Sequence, residues 1–252
     1  MKKLLLLVLV LCFSASASAA LVNGYTFDGG NADDGWGGQH GTGGGDVSFA
    51  GGVATFDGDG DYITLPDPVG DFGLGDYSVT WWANLVDPEA KTHFMMTGTS
   101  GGPGAGVRSI DSMVYPLPTY GWLTQVDDGV MSPYPLGGFP PAGWVHYASV
   151  VDRGANTLSQ YLNGAFLASV DITGLGDVSS PGEIVMVGMA MNGDQTPNLG
   201  YSDLNGMMDE IGFFDEALSV GQINDIMANG LPEPATVCLL GLGGLLLRRR
   251  RS

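Results

Sequence analysis

A sandwich of two antiparallel β-sheets closed by one short C-terminal helix is the all-β fold class predicted for residues 21–230. Three observations predict it. Short apolar and β-branched runs recur along the segment, clusters of Gly, Asp, Asn and Pro separate them, and a helix-capping pattern appears only near its end.

The runs, in order, are Gly24 to Phe27, Val53 to Phe56, Tyr62 to Leu65, Ser78 to Val86, His93 to Thr97, Trp144 to Val151, Thr157 to Leu162, Phe166 to Ile172, Ile184 to Met189 and Met207 to Phe214. Asn163-Gly164 gives the sharpest local signal, because a two-residue type I′ turn needs positive φ at both positions. A hairpin is expected there. Between Gly98 and Gly143 the chain is rich in Gly and Pro and carries Tyr115, Tyr120, Trp122, Tyr134 and Phe139. It reads as long loops around two or three short strands. Trp144, Tyr147 and Val150 mark a strand whose large residues belong in a core, so His146 within it reads as structural. Met95, Met96, Met186, Met189, Met207 and Met208 read as core filler. The one helix starts at Ser219-Val220-Gly221-Gln222, which has capping-box spacing. Val220, Ile223, Ile226 and Met227 share a face, and Gly230 can end the helix.

The two ends of the chain have a different character. Residues 1–20 combine Lys2 and Lys3, an apolar stretch from Leu4 to Phe13 and Ala17-Ser18-Ala19, the pattern of a secretory signal peptide cut after Ala19 or Ala20. Residues 231–252 run from Leu231 through Pro232-Glu233-Pro234 and an apolar segment to Arg248, Arg249, Arg250 and Arg251. As a helix, Ala235 to Leu247 would span about 20 Å against a hydrocarbon core of about 30 Å, which suits transient membrane insertion better than a permanent anchor. Arginines after it hold the basic end on the cytoplasmic side. This order resembles the PEP-CTERM sorting signal of Gram-negative bacteria, which implies an exosortase-type membrane protease as partner. It also implies a protein released to the cell surface or matrix.

Composition narrows the functions open to the middle segment. The chain holds 27 Asp and Glu against 9 Lys and Arg, a net charge of −18. Only Lys91, Arg108 and Arg153 are basic between residues 21 and 230, whereas Glu233 alone of the acidic residues lies outside. Nucleic acid is excluded as a partner, because phosphate binding needs basic side chains to displace counterions. Cys12 and Cys238 fall in the two end segments, so no disulfide supports the domain.

FDGDGDYITLP (Phe56 to Pro66), WVHYASVVDRGANTLSQYLNGAFLAS (Trp144 to Ser169) and LNGMMDEIGFFDEALSVGQINDIMANG (Leu204 to Gly230) resemble the laminin G-like, concanavalin A-like jelly rolls of bacterial exported proteins. The similarity covers essentially all of residues 21–230. It implies two curved sheets packed face to face, members that bind glycans or proteins or serve as enzyme appendages, and a structural calcium joining the N-terminal and final strands. The matching segments carry Asp28 and Asp209. The run Asp57-Gly58-Asp59-Gly60-Asp61 is a weaker calcium candidate, since Tyr62 and Pro68 stand where an EF-hand loop needs Gly and Glu.

Glucanases share this fold, so hydrolysis must be weighed. A pair of carboxylates has to face each other across a cleft. The E-x-D-x-E strand motif is absent, and Asp209-Glu210, adjacent on a strand, should point to opposite faces. No H-E-x-x-H occurs, and His40, His93 and His146 are isolated in sequence. The expectation is a non-catalytic carbohydrate-binding or adhesion module. Tyr120, Trp122 and Tyr134, with Tyr115, would stack on sugar rings, and Asp127 or Asp128 would accept hydroxyl hydrogen bonds. The alternatives are a structural matrix protein with no discrete ligand site and, behind it, a glycoside hydrolase.

Overall fold

In a computed structural model, residues 20–98, 106–116 and 120–232 are described. The signal-peptide pattern before residue 20 and the tail from Glu233 through Pro234 to Arg248, Arg249, Arg250 and Arg251 lie outside them. The strands are β1 (Leu21–Tyr25), β2 (Thr42–Gly44), β3 (Ala54–Asp57), β4 (Tyr62–Leu65), β5 (Tyr77–Leu85), β6 (Thr92–Thr97), β7 (Val107–Tyr115), β8 (Gly121–Asp128), β9 (Gly143–Asp152), β10 (Thr157–Leu162), β11 (Ala165–Asp171), β12 (Val185–Val187) and β13 (Asn205–Phe214), followed by helix α1 (Val220–Asn229). They form two sheets. One has seven strands in the order β1-β13-β5-β9-β10-β11, with β3 also paired to β13; the other has six, β2-β4-β12-β6-β7-β8. All strand pairs are antiparallel.

The core between the sheets is aromatic. Trp81 stacks on Tyr147 at 5.3 Å between ring centroids, and Trp122 meets Tyr147 edge-on at 4.9 Å. Fully burying one such side chain contributes about 1.5–3 kcal/mol, so this cluster anchors the sandwich without a disulfide. The Asn163-Gly164 turn is present, with φ of 49° and 74° joining β10 to β11. Helix α1 has the capping box: the Gln222 N–H donates to Ser219 Oγ, and Gln222 Oε1 accepts from the Ser219 N–H. Ile223 and Ile226 pack with Ala148, Val150 and Phe214 on the outer face of the seven-stranded sheet, whereas Val220 is exposed.

One part of the expectation needs correction. The stretch from Gly98 to Gly143 holds β7 and β8, long strands paired to each other in the six-stranded sheet. Their sequences hide this, because Arg108, Ser109, Asp111, Ser112, Thr124 and Asp127 are buried polar residues that break the apolar pattern. Hydrogen bonds satisfy them instead, such as Trp122 Nε1 donating to Ser112 Oγ at 2.9 Å. Met95, Met96, Met186, Met189 and Met208 are buried as expected, whereas Met207 is only partly buried; Met96, Met186 and Met189 form a cluster separate from the main core, with Met95 on the core side.

Both ends of the domain are tied down. The Asp34 carboxylate accepts from Asn23 Nδ2 and from the N–H groups of Gly24, Trp36, Gly37 and Gln39. Burial would raise this carboxyl, yet the donors hold it below the usual range. The loop so fixed lays Trp36 over Gly24, where a Cβ would stand 2.4 Å from the indole, and Trp36 Nε1 donates to the Pro232 carbonyl at 2.6 Å. The chain is therefore gripped as far as Pro232.

Candidate functional site

Outward-facing residues of the seven-stranded sheet make the site. Along β5 the side chains alternate, Trp81 pointing into the core and Trp82 outward. Across the ladder Trp82 opposes His146 of β9 and Asp209 of β13. Helix α1 covers one half of this face and leaves the other open. The open half is a cleft of about 440 Å³ lined by Trp82, Trp144, Asp209, Glu210 and the last turn of α1, including Asn229 and Gly230. Trp144 is 41% exposed, so the placement of its ring in the core is corrected: it stands at the start of β9, one residue before Val145 enters the core.

A β-bulge gives the cleft its acidity. Register shifts between Asp209 and Gly212, and Glu210 has φ of 47°. The bulge re-aims a side chain, as such irregularities do. Both carboxylates consequently line one cleft, against the expectation that adjacent residues point apart. Burial, then the charges of Glu210 and Asp28, pushes the Asp209 carboxyl up to about 7, although the Glu210 N–H donates to it at 2.8 Å. Burial and Asp28 raise Glu210 as well, while the Leu231 N–H counteracts. Glu210 Oε2 is buried with no hydrogen-bond partner. Beneath the cleft, His146 sits 5.2 Å from the Trp82 ring, its two ring nitrogens unpartnered, and burial pushes it down to about 4. It is a neutral, buried side chain, consistent with a structural role.

The residues singled out from sequence divide into two groups. Tyr115, Tyr120 and Tyr134 form a surface strip, with centroids 5.9 Å apart for the first pair and 6.5 Å for the second. Lys91 Nζ extends it, 5.1 Å from the Tyr115 ring centroid and 3.2 Å from that of Tyr201. Trp122 is not part of the strip: it is fully buried between the sheets and has no face free for a sugar. Asp127 is also fully buried, and its carboxylate accepts from Arg108 Nη2 at 3.1 Å and from Ser132 Oγ. Asp128 spends its oxygens on the backbone N–H groups of Val130, Met131 and Gly176.

Calcium takes 6–8 oxygens. Asp28 and Asp209 feel each other's charge, but among the described residues the three carboxylates whose oxygens converge within 4.8 Å are Asp46, Asp57 and Asp61. In that trio Asp61 already accepts from the N–H groups of Asp46 and Asp57, which stitches two turns together.

An all-β jelly roll with an aromatic, acidic cleft on one sheet is the class that fold and site define. The chain belongs to the concanavalin A-like lectin/glucanases superfamily, whose laminin G-type model matches residues 57–224. No curated protein matches it in sequence. Among solved structures it is similar to domain 4 of AbnA, a GH43 extracellular arabinanase from Geobacillus stearothermophilus, in complex with arabinotriose. The identity is 22% and the TM-score 0.61, over 83% of this chain and 99% of that one. It is also similar to the botulinum neurotoxin serotype D binding domain, at 13% identity and TM-score 0.57. The ligand-binding domain of the same serotype in complex with N-acetylneuraminic acid gives 12% and 0.58. The chain spans half the length of these toxin chains. Such identities establish the shared fold.

Trp82 and Trp144 are the site residues that sequence reasoning missed. The signal was available in Trp81-Trp82: adjacent residues on a strand face opposite ways, so one indole of the pair must leave the core.

Proposed function

We propose that this protein is a non-catalytic glycan-binding or adhesion module that works outside the cell, with the Trp82–Trp144 cleft as its binding surface. The observation that carries the reading is the pairing of two indoles with hydrogen-bonding groups in one open cleft. Indole faces pack on the C–H faces of sugars, and Asp209, Glu210 and Asn229 can bond to ring hydroxyls. Relatives in fold solved in complex with arabinotriose or N-acetylneuraminic acid support a glycan ligand. Hydrolysis is disfavoured because neighbours on one strand lie side by side, whereas acid and base must flank the scissile bond. A glycan array with the wild type and Trp144→Ala tests the reading. Binding should occur and should fall with the substitution; binding that survives in both Trp82→Ala and Trp144→Ala removes the cleft from the account.

Export and sorting belong to the same proposal and rest on the two end segments. A PEP-CTERM-like tail handled by an exosortase-type protease would leave a surface or matrix protein without its arginines. The hydrogen bond from Trp36 to the Pro232 carbonyl favours a cut at or after that residue. Intact-mass measurement on protein recovered from the outer surface should find a C-terminus between residues 232 and 235. A chain ending at Ser252 there would contradict sorting.

A calcium joining Asp28 and Asp209 is retained as a proposal. Thermal melts with calcium, against magnesium at equal ionic strength, test it. A specific site gives a larger shift with calcium, and that excess vanishes in Asp209→Ala.

A further inference from the structure

We infer that the glycan recognised in the Trp82–Trp144 cleft carries a protonated amino group, as a de-N-acetylated amino sugar does, and that this ammonium seats against Asp209 and Glu210 beneath the indoles. The inference rests on the reading of the cleft as the glycan site and names the chemical class of its ligand. Among the described residues, every charge lining the cleft has one sign. Asp209 and Glu210 line it, and Asp28 adds its field to both. The C-terminal turn of α1 forms one wall, and its free carbonyls are the negative end of the helix dipole; no basic residue occupies that turn.

Among the described residues the cations are committed elsewhere. Lys91 lies over tyrosine rings, Arg108 is buried against Asp111 and Asp127, and Arg153 donates to the carbonyls of Leu175 and Gly73. Among the described residues this leaves a half-buried carboxylate pair without a counter-ion, one of whose oxygens, Glu210 Oε2, has no hydrogen-bond partner. Indoles distinguish the occupants. A tryptophan face attracts an ammonium through its quadrupole, but it gives calcium none of the oxygens that ion requires. A sugar with one ammonium satisfies both halves of the cleft, its ring against Trp144 and its charge against the acids.

The test titrates the full chain, by calorimetry, with a β-1,4-linked glucosamine trimer and with its N-acetylated counterpart. The free amine should bind at least about tenfold tighter, equivalent to about 1.4 kcal/mol. Glu210→Gln should erase most of that preference while keeping the wild-type melting temperature. Trp144→Ala should weaken both trimers. Equal or tighter binding of the acetylated trimer overturns the ammonium and leaves the glycan reading standing. If neither trimer binds, the ammonium inference falls, and the array result with Trp144→Ala decides the glycan reading separately. Amine binding seen only after chelation of calcium would assign the carboxylates to the metal and overturn the proposal.

Discussion

Two acidic pairs in this domain have opposite fates. Asp111 and Asp127 lie buried in the six-stranded sheet, with Arg108 between them: Nη1 reaches Asp111 at 2.8 Å and Nη2 reaches Asp127 at 3.1 Å. His93 adds Nε2 to Asp111 at 3.2 Å, and its other ring nitrogen meets Ser202 Oγ. Burial would raise the Asp111 carboxyl, but His93 and Arg108 hold it below the usual range. Asp209 and Glu210, on the outer face of the other sheet, have no basic side chain beside them among the described residues, and both are raised. Equivalent chemistry is completed internally at one place and left open at the other. A buried charge that the chain pairs itself is architecture; one that it leaves unpaired at an open cleft is an invitation to a ligand.

The largest expected effect comes from breaking the completed pair. Asp127→Ala removes one of the two carboxylates that Arg108 pairs with in the core and should cost about 3–5 kcal/mol, read as a large loss of urea or thermal stability. A melting temperature close to wild type would show that Asp127 is not structural and would reopen the sugar-acceptor role expected from sequence.

Opening the other pair should affect binding instead. Trp82→Ala and Trp144→Ala should each weaken glycan affinity about tenfold, some 1.4 kcal/mol. Trp144 is half-exposed and leaves no cavity when truncated, so the melting temperature should stay near wild type.

The pairs also differ in the sign of their pH dependence. Asp209 has its folded-state pKa raised to about 7. Its stabilising contribution is complete below the unfolded value of about 4 and disappears as pH rises through about 7. Asp111 is depressed, so its contribution is present above about 4 and is lost only as pH falls through its lower folded value. Melts between pH 5 and 8 should therefore decline, and Asp209→Asn should flatten the decline. A slope unchanged by that substitution would mean that Asp209 is not strained.

The smallest effect is expected at the tyrosine strip. Tyr134→Ala removes a ring that is 37% exposed and should change glycan affinity less than twofold. A tenfold loss would move the binding surface to Tyr115, Tyr120 and Tyr134 and away from the cleft.

Legibility in the sequence follows the same division. The β10–β11 hairpin and α1 were readable because Asn163-Gly164 and Ser219 to Gln222 are local devices whose residues touch one another. Strands β7 and β8 were not, because Arg108, Asp111 and Asp127 look like loop residues until the sheet brings them together across 19 positions of chain. Trp122 looked like a sugar platform for a related reason: its Pro-rich surroundings masked a strand that points it into the core. Tyr120 and Tyr134, named together from the sequence, lie side by side at the surface. The cleft depended on a bulge at Asp209-Glu210, which no local pattern announced.

The central claim is that the unpaired carboxylates and their indoles mark the binding surface. The most direct measurement follows the tryptophan indole N–H signals by NMR while the β-1,4-linked glucosamine trimer is titrated into the protein. The account predicts that Trp82 and Trp144 shift with ligand while the buried Trp81 and Trp122 do not. Shifts confined to residues of the Tyr115–Tyr134 strip, with Trp82 and Trp144 unmoved at saturation, would contradict it.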